Sequence, residues 1–140
     1  MNTETVGTGT PDDPWHLRTP PGSSEYLAWR DPGLDPAALV VRVGTTTLSY
    51  DLRALNETAQ MLRDHGDWMA LGNADEGKPT SDGTLESWAR SPDNPRGGYY
   101  GLRKGYRGRF ANYVAPVLEA LGLAEVEHNP RNNRIRARQG

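Results

Sequence analysis

Apolar residues recur along this chain with two different periods, and the shorter period marks the first half. The β-branched runs at residues 38–44, ALVVRVG, and 45–50, TTTLSY, predict a hairpin that turns at Gly44. A looser alternation over residues 25–30 predicts an edge strand. The proline-rich stretch before it, residues 14–24, is expected to be irregular.

A helical period follows and predicts the central helix. Asp51 is a favoured N-cap, and Gly66 is a favoured C-terminal stop. Between them, apolar residues recur at helical spacing, at Leu52, Leu55, Ala59 and Leu62. A short second helix is predicted over TLESWAR, where Thr84 can cap the first turn.

The last helix has an apolar stripe that a proline interrupts. The stripe consists of Phe110, Val114, Val117, Leu118 and Leu121. A proline inside a helix loses a backbone hydrogen bond and clashes with the preceding turn, at a cost of roughly 3 kcal/mol. We therefore expect either that Pro116 lies in the first turn of the helix or that the helix kinks at this residue. In both cases Gly122 is predicted to end the helix.

The hairpin after this helix can be assigned a register from its side chains. Its apolar positions face one another in the pairs Val126–Ile135 and Ala124–Ala137. Its charged positions then face one another in the pairs Glu127–Arg134 and Glu125–Arg136, on either side of the turn NPRN. Two arginines that could be taken for ligand contacts are thus predicted to support the sheet.

The amino-terminal residues 1–13 are rich in Thr, Gly and Asp and carry too few large apolar side chains to offset the entropy of ordering them. The sequence therefore predicts a disordered tail over residues 1–13 and a single α+β domain over residues 14–140. The domain is expected to combine a small N-terminal antiparallel sheet, a central helix, and a C-terminal helix plus β-hairpin.

Several functional classes lack their usual residues. The chain has no cysteine, its three histidines have no metal-ligand spacing, and no catalytic serine motif occurs. Carboxylates such as Asp75 and Glu76 are expected in solvated loops. We predict no catalytic residue, metal or cofactor. Since the sequence contains neither a membrane span of roughly 18 apolar residues nor a signal peptide, we expect a cytoplasmic protein with no membrane partner.

Charge is unevenly distributed along the chain. Residues 1–95 carry seven basic and fifteen acidic side chains, a net charge of −8, whereas residues 96–140 carry nine basic and three acidic ones, a net charge of +6. Such a split predicts a partner for the basic end, attraction between the two halves, or both.

The segment 96–110, RGGYYGLRKGYRGRF, interleaves cations with aromatic side chains. This mixture is typical of nucleic-acid surfaces, because cations neutralise phosphates and aromatic rings stack on unpaired bases. The predicted contacts are Arg103, Lys104, Tyr106, Arg107 and Arg109. The alternative is that the aromatic residues anchor the core while the cations face the acidic first half.

The order of helix, short helix, helix and basic-tipped hairpin over residues 51–138 resembles a winged helix-turn-helix domain, with GLAEVEHNPRNNRIRAR as the end of the last helix and the wing. In that family the third helix reads the major groove and the wing contacts the DNA backbone. The resemblance implies contacts from Arg107, Arg109, Asn112 and Arg131. The loop from residue 91 to 108 is longer than the roughly 3–4-residue turn of that motif.

The segments GTPDDPW, HGDWMALG, WARSPDNP and ALGLAEVEHNPRNN are similar to those of a family of small actinobacterial proteins, a domain of unknown function, and this likeness spans nearly the whole chain. It implies no activity. The leading hypothesis is non-enzymatic binding of nucleic acid, DNA or RNA, or of another polyanion, through residues 96–110 and the hairpin tip. The alternative is a protein-interaction module that docks an acidic protein partner, and a small-molecule enzyme ranks third.

Overall fold

The computed structural model describes residues 6–138, which form two antiparallel sheets and three helices. The larger sheet consists of β1 (Trp15–Arg18), β2 (Glu25–Asp31), β3 (Ala38–Val43) and β4 (Thr46–Asp51). The remaining elements are α1 (Ala54–His65), β5 (Met69–Ala70), α2 (Leu85–Trp88), α3 (Phe110–Ala120), β6 (Ala124–Val126) and β7 (Arg134–Ala137). The predicted α+β class is confirmed.

The larger sheet is a meander in which each strand pairs with the next one along the chain. The predicted hairpin is confirmed, and Gly44 adopts the left-handed conformation that a tight turn between β3 and β4 requires. The prediction that residues 25–30 form an edge strand is wrong, because β1 pairs with the other side of β2. The supposedly irregular stretch forms β1 because Trp15 and Leu17 alternate into the core.

The chain before β1 is hydrogen-bonded to the sheet. The prediction of a disordered tail is wrong for residues 6–13, whereas residues 1–5 lie outside the described residues. The carbonyl oxygen of Gly9 accepts a hydrogen bond from the backbone N–H of Arg30 on β2, at 2.9 Å. The ring of Trp15 lies against Gly9. These backbone hydrogen bonds and the packing of the Trp15 ring order a segment that has few large apolar side chains of its own.

Helix α1 begins later than its predicted cap. Asp51 is the last residue of β4, and the N-cap position is taken by Arg53, which has no side-chain capping bond. The Asp51 carboxylate instead accepts hydrogen bonds from Arg53 and from Arg96, and these bonds outweigh burial and lower its pKa. The predicted stop is confirmed, since Gly66 is left-handed and its N–H bonds to the Leu62 carbonyl.

Helix α3 is buried on almost all sides. Pro116 lies in the middle of the helix, so the alternative that it occupies the first turn is wrong. Elements of both sheets and the other two helices pack against α3. On the side of the larger sheet, the Tyr26 hydroxyl donates to the Tyr113 carbonyl at 2.8 Å, and the two rings meet edge to face.

The small sheet has the order β5-β7-β6, with β7 in the centre. The predicted register is confirmed, with the pairs Val126–Ile135, Ala124–Ala137 and Glu125–Arg136. Both predicted ion pairs form, Arg134 with Glu127 at 2.8 Å and Arg136 with Glu125 at 2.7 Å. The ring of Trp68 lies beneath both arginines, which adds a cation–π contact on the same face.

One cluster of buried apolar side chains joins the two sheets and the helices. Its helical members include Leu62, Val117 and Leu118, each fully buried as their spacing predicts. The Thr84 side chain caps α2 by accepting the Ser87 N–H, which confirms that prediction. Among residues 6–138, none of the helices has both the length and the apolar character of a membrane span.

Candidate functional site

An open cleft of about 410 Å³ lies beside the turn between β3 and β4. Val43 and Leu48 of the sheet and Tyr113 of α3 supply apolar side chains to its lining. Two loops, residues 75–77 and 105–109, supply the rest of its wall together with Thr46. The first loop belongs to the acidic half of the chain, and the second ends the basic and aromatic segment. Two oppositely charged parts of the sequence therefore meet at this cleft.

The carboxylate of Glu76 holds the second loop in place. It accepts the backbone N–H of Arg107 at 2.8 Å and that of Gly105 at 3.1 Å. It also accepts Nε and Nη2 of the Arg107 side chain, each at 3.1 Å. The side-chain bonds from Arg107, supported by the backbone bonds, outweigh burial and lower the pKa of Glu76 to about 2. One carboxylate thus fixes the backbone and a side chain of the loop together.

Arg107 is committed to this contact. Besides its bidentate pair with Glu76, its guanidinium lies over the ring of Tyr99, 4.1 Å from the ring centroid. The hydrogen bonds to Glu76 also raise the pKa of Arg107. A phosphate would have to compete with Glu76 for this cation, whose side chain is 29% exposed. Arg107, predicted as a nucleic-acid contact, acts in the structure as a positioning residue for the loop.

Arg109 and Asp75 form a second pair at the cleft wall. Nε of Arg109 donates to Oδ1 of Asp75, and the two side chains are 49% and 52% exposed. This bond lowers the pKa of Asp75, which is therefore ionised at neutral pH. Arg109 has φ 58, a left-handed conformation that is uncommon outside glycine, and its N–H donates to the carbonyl of Ala74 at 2.8 Å. The pair is fixed through the backbone of Arg109, yet about half of each side chain remains exposed.

Two glycines bring backbone segments together around the cleft. A Cβ atom at Gly108 would lie 2.2 Å from the backbone nitrogen of Glu76. A Cβ atom at Gly101 would lie 2.4 Å from the Cα atom of Arg107. Neither distance leaves room for a side chain without moving a backbone. These glycines therefore act in close packing.

The loop that carries Asp75 and Glu76 is also held from behind by Arg90. The guanidinium of Arg90 donates at 3.1–3.3 Å to four carbonyl oxygens, those of Ala74, Asp75, Glu76 and Lys78. It also pairs with the carboxylate of Glu86 at 2.9 Å. One side chain thus satisfies a run of loop carbonyls that have no strand or helix partner.

Glu86 connects this cluster to the start of α3. Its carboxylate is fully buried and accepts the backbone N–H groups of Phe110 at 3.2 Å and Ala111 at 2.9 Å. The helix lacks a local side-chain cap, so Glu86 supplies the missing acceptor from a distant part of the chain. Burial raises the pKa of Glu86, while bonds from Ala111 and Arg90 oppose that rise. Because every partner donates, the hydrogen bonds favour the ionised carboxylate, but burial has the larger effect on its pKa.

Three predicted site residues stay exposed at the start of the second loop and just before it. Arg103, Lys104 and Tyr106 are all exposed, and Tyr106 also lines the cleft. The guanidinium of Arg103 lies over the Tyr106 ring, 4.5 Å from its centroid. Within the described part of the chain, neither Arg103 nor Lys104 forms an ion pair. Residues 103–106 therefore present two cations and an aromatic ring next to the cleft.

The other two predicted contacts lie elsewhere. Asn112 is in the first turn of α3 and Arg131 is in the turn of the β6–β7 hairpin, and neither lines the cleft. That hairpin turn contacts the β1–β2 connection, where His128 Nδ1 lies 3.0 Å from the Pro20 carbonyl. The structure thus brings Tyr106 and Arg109 to the cleft, with Arg103 and Lys104 adjoining them, but not Asn112 or Arg131.

The burial of α3 rules out its predicted use as a groove-reading helix. From residue 110 to 118, every residue of α3 except Asn112 is buried. A recognition helix must expose a row of side chains to base edges in the major groove. Packing by both sheets removes that face. The role that the winged helix-turn-helix resemblance implied for α3 is therefore wrong.

Most of the basic side chains in the last part of the chain pair with carboxylates of the same molecule. Among the described residues, five of the nine basic side chains after residue 95 pair with carboxylates, namely Arg96, Arg107, Arg109, Arg134 and Arg136. The first three of these bridge to the acidic half, so the predicted attraction between the halves is confirmed. The other four, Arg103, Lys104, Arg131 and Arg138, make no ion pair with described residues.

Sequence reasoning missed the acidic partners of this site. Asp75 and Glu76 were expected in a solvated loop, and nothing marked Glu86 or Arg90. The sole signal was charge complementarity between an acidic, turn-rich segment and a basic, glycine-rich one. Complementarity suggests that two such segments attract, but it does not identify which side chains meet.

A family model covers almost the whole chain. The model of a family of unknown function (DUF6855) matches residues 7–138. No curated protein and no solved structure matches the chain. Within residues 6–138, no group of three or more histidine, aspartate or glutamate side chains is arranged to hold a metal ion.

Proposed function

The chain belongs to the family of unknown function DUF6855, and we propose that it binds single-stranded nucleic acid at the cleft. The observation that carries the proposal is the position of Tyr106, an exposed ring on the wall of a cleft of about 410 Å³, beside the exposed cations Arg103 and Lys104. Aromatic rings that stack on bases and cations that follow the phosphates are the two parts of a single-strand site.

The shape of the site favours a single strand over a duplex. The cleft has the volume of a small-molecule pocket, and an unpaired base can be turned out of a strand into such a space. A paired base cannot enter without breaking its pair. The buried helix α3 offers no alternative surface for a major groove.

The available charge limits the strength of this binding. Arg107 is engaged by Glu76, which leaves Arg103 and Lys104 as the cations best placed for phosphates. On single strands, each phosphate contact contributes about −0.7 to the slope of log affinity against log salt concentration. Two contacts therefore predict a slope of about −1.4 from this loop.

The test is a titration of wild type with a labelled single strand, as DNA and as RNA, and with the matching DNA duplex over a series of salt concentrations. Wild type should bind the single strands more tightly than the duplex. Replacing Arg103 and Lys104 together with alanine should remove about 1.4 from the magnitude of the slope. Tyr106→Ala should cost roughly 1–3 kcal/mol on single strands and little on the duplex.

Arg63→Ala is the matched control. Arg63 is an exposed cation on α1 that does not line the cleft, so its removal should change neither the slope nor the affinity. If wild type binds neither strand at low salt, the proposal is wrong. Binding of an acidic peptide by the same protein would then support the protein-interaction alternative.

A further inference from the structure

We infer that the cleft selects guanine among the unpaired bases of a bound strand, through the edge formed by Asp75 and Arg109. This inference rests on the proposed function and adds to it a preference for one base.

The two side chains present complementary groups side by side. An ionised carboxylate can only accept hydrogen bonds, and a guanidinium can only donate them. Arg109 meets Asp75 through Nε and Oδ1, and both residues line the cleft with about half of each side chain exposed. Within residues 6–138, Oδ2 of Asp75 accepts no hydrogen bond. The cleft wall thus offers an acceptor next to a donor.

Guanine has the edge that fits this pair best. Its Watson–Crick edge carries two adjacent N–H donors, at N1 and N2, followed by the O6 acceptor. The donors match the carboxylate of Asp75, and the O6 acceptor matches a donor of the Arg109 guanidinium. Adenine, cytosine and uracil each offer a single donor group on this edge, so they leave the carboxylate with fewer bonds. Polar groups left unpaired in a site are the usual source of strong discrimination.

The pair is positioned before any base arrives. The backbone N–H of Arg109 bonds to the carbonyl of Ala74, and the carbonyl of Asp75 accepts from Arg90. Tyr106 lines the same cleft, so a base stacked on its ring can turn its edge toward the pair. Groups fixed in advance lose little entropy on binding, which favours selectivity.

The test uses wild-type protein and five-nucleotide RNA strands made of uridine, with the central position changed to guanine, inosine, adenine or cytosine. The guanine strand should bind roughly tenfold more tightly than the all-uridine strand. Inosine lacks the N2 amino group and should fall between the two. Equal affinity for all five strands would overturn this inference while leaving the proposed function intact. If none of the strands binds at low salt, the proposed function fails and this inference fails with it.

A variant pair tests the assignment to Asp75. Asp75→Asn should remove the preference for guanine over uridine, measured as the ratio of the affinities for the two strands. Asp82→Asn, an exposed aspartate nearby in the chain that does not line the cleft, should keep the preference. Near-ultraviolet circular dichroism should confirm that both variants stay folded. Retention of the full guanine preference by the Asp75 variant would contradict the assignment.

Discussion

The β6–β7 hairpin and the cleft loops both pair arginines with carboxylates, but the pairs have different surroundings. In the hairpin, Arg136 meets Glu125 across two neighbouring strands, and the two side chains are 38% and 42% exposed. At the cleft, Glu76 is 18% exposed and accepts backbone N–H groups as well as the Arg107 side chain. An exposed pair competes with water and salt, whereas a partly buried carboxylate that bonds backbone groups organises a loop. The same residue types therefore add little to the stability of the hairpin but hold the cleft loops together.

The largest effect is expected at the buried end of the cleft network. Glu86→Gln removes the charge that balances Arg90 and weakens the acceptor at the start of α3. Breaking a buried ion pair on one side costs about 3–5 kcal/mol. The free energy of unfolding, measured by urea denaturation, should fall by that amount. The hairpin variant Glu125→Gln is the control and should cost under about 1 kcal/mol, since that pair is exposed. Similar losses in the two variants would remove the distinction between the regions.

A methyl group should break the close contact between the cleft loops. Gly108→Ala places a Cβ atom against the backbone of Asp75 and Glu76, so one loop must move. Overpacking of this kind costs about 1–3 kcal/mol. Gly77→Ala is matched, because a Cβ atom there meets nothing within 4 Å, and it should change stability by less than about 0.5 kcal/mol. Thermal unfolding followed by circular dichroism compares the two, and equal midpoints would show that the loops are not closely packed.

The charge of the Glu76 carboxylate should also distinguish the cleft from the hairpin. Glu76→Gln keeps the shape but loses the charge that Arg107 and two backbone N–H groups need. Hydrogen bonds to a charged group contribute about 1.5–3 kcal/mol, so the variant should lose about that much stability. High salt should lessen the effect of Glu125→Gln more than that of Glu76→Gln, because exposed pairs are screened more strongly. Equal salt sensitivity would place Glu76 with the surface pairs.

The cleft should also lose stability in acid. The pKa of Glu76 is lowered from 4.5 to about 2 on folding, so its contribution is fully present above pH 4.5 and is lost as the pH falls toward about 2. Urea denaturation at a series of pH values should show a smaller acid loss for Glu76→Gln than for wild type. An unchanged acid profile in that variant would contradict the role given to the carboxylate.

The smallest effect is expected in the hairpin turn, where His128 should make stability fall as the pH rises. Burial lowers the pKa of His128, but its bonds to Glu119 and to the Pro20 carbonyl raise it above 6.5 overall. Its contribution is therefore present in full below pH 6.5 and is lost as the pH rises through the raised value. His128→Gln should flatten this alkaline loss in the same denaturation series, and a profile identical to wild type would show that the contact is not pH-dependent.

The sequence predicted the hairpin far better than the cleft, and the reason is sequence separation. In β6 and β7, the period of two and opposite charges determine the register, so Glu125 and Arg136 could be matched by their positions. The central helix, the β3–β4 hairpin and the buried stripe of α3 were predicted for the same reason. Glu76 and Arg107 lie 31 residues apart in irregular segments, where no period relates one position to another.

The errors have a similar cause. Asp51 has the right chemistry for a helix cap, but its carboxylate at the end of β4 is bound by the side chains of Arg53, two residues on, and of Arg96 on a distant loop. Residues 6–13 lack large apolar side chains, yet their backbone bonds to β2 and the ring of Trp15 order them. In each case tertiary contacts overrode a correct local preference.

The carboxylate of Glu86 also sets an order of events in folding. Its bonds to α3 span 24 and 25 residues, whereas β1 to β4 join neighbours along the chain. Contacts that close long loops form late, because the entropy of closure comes before the gain. The meander is therefore expected in the transition state, and the cleft network after it. Substitutions in that network should then accelerate unfolding and leave the refolding rate nearly unchanged, so the cleft would be the first part of the molecule to open.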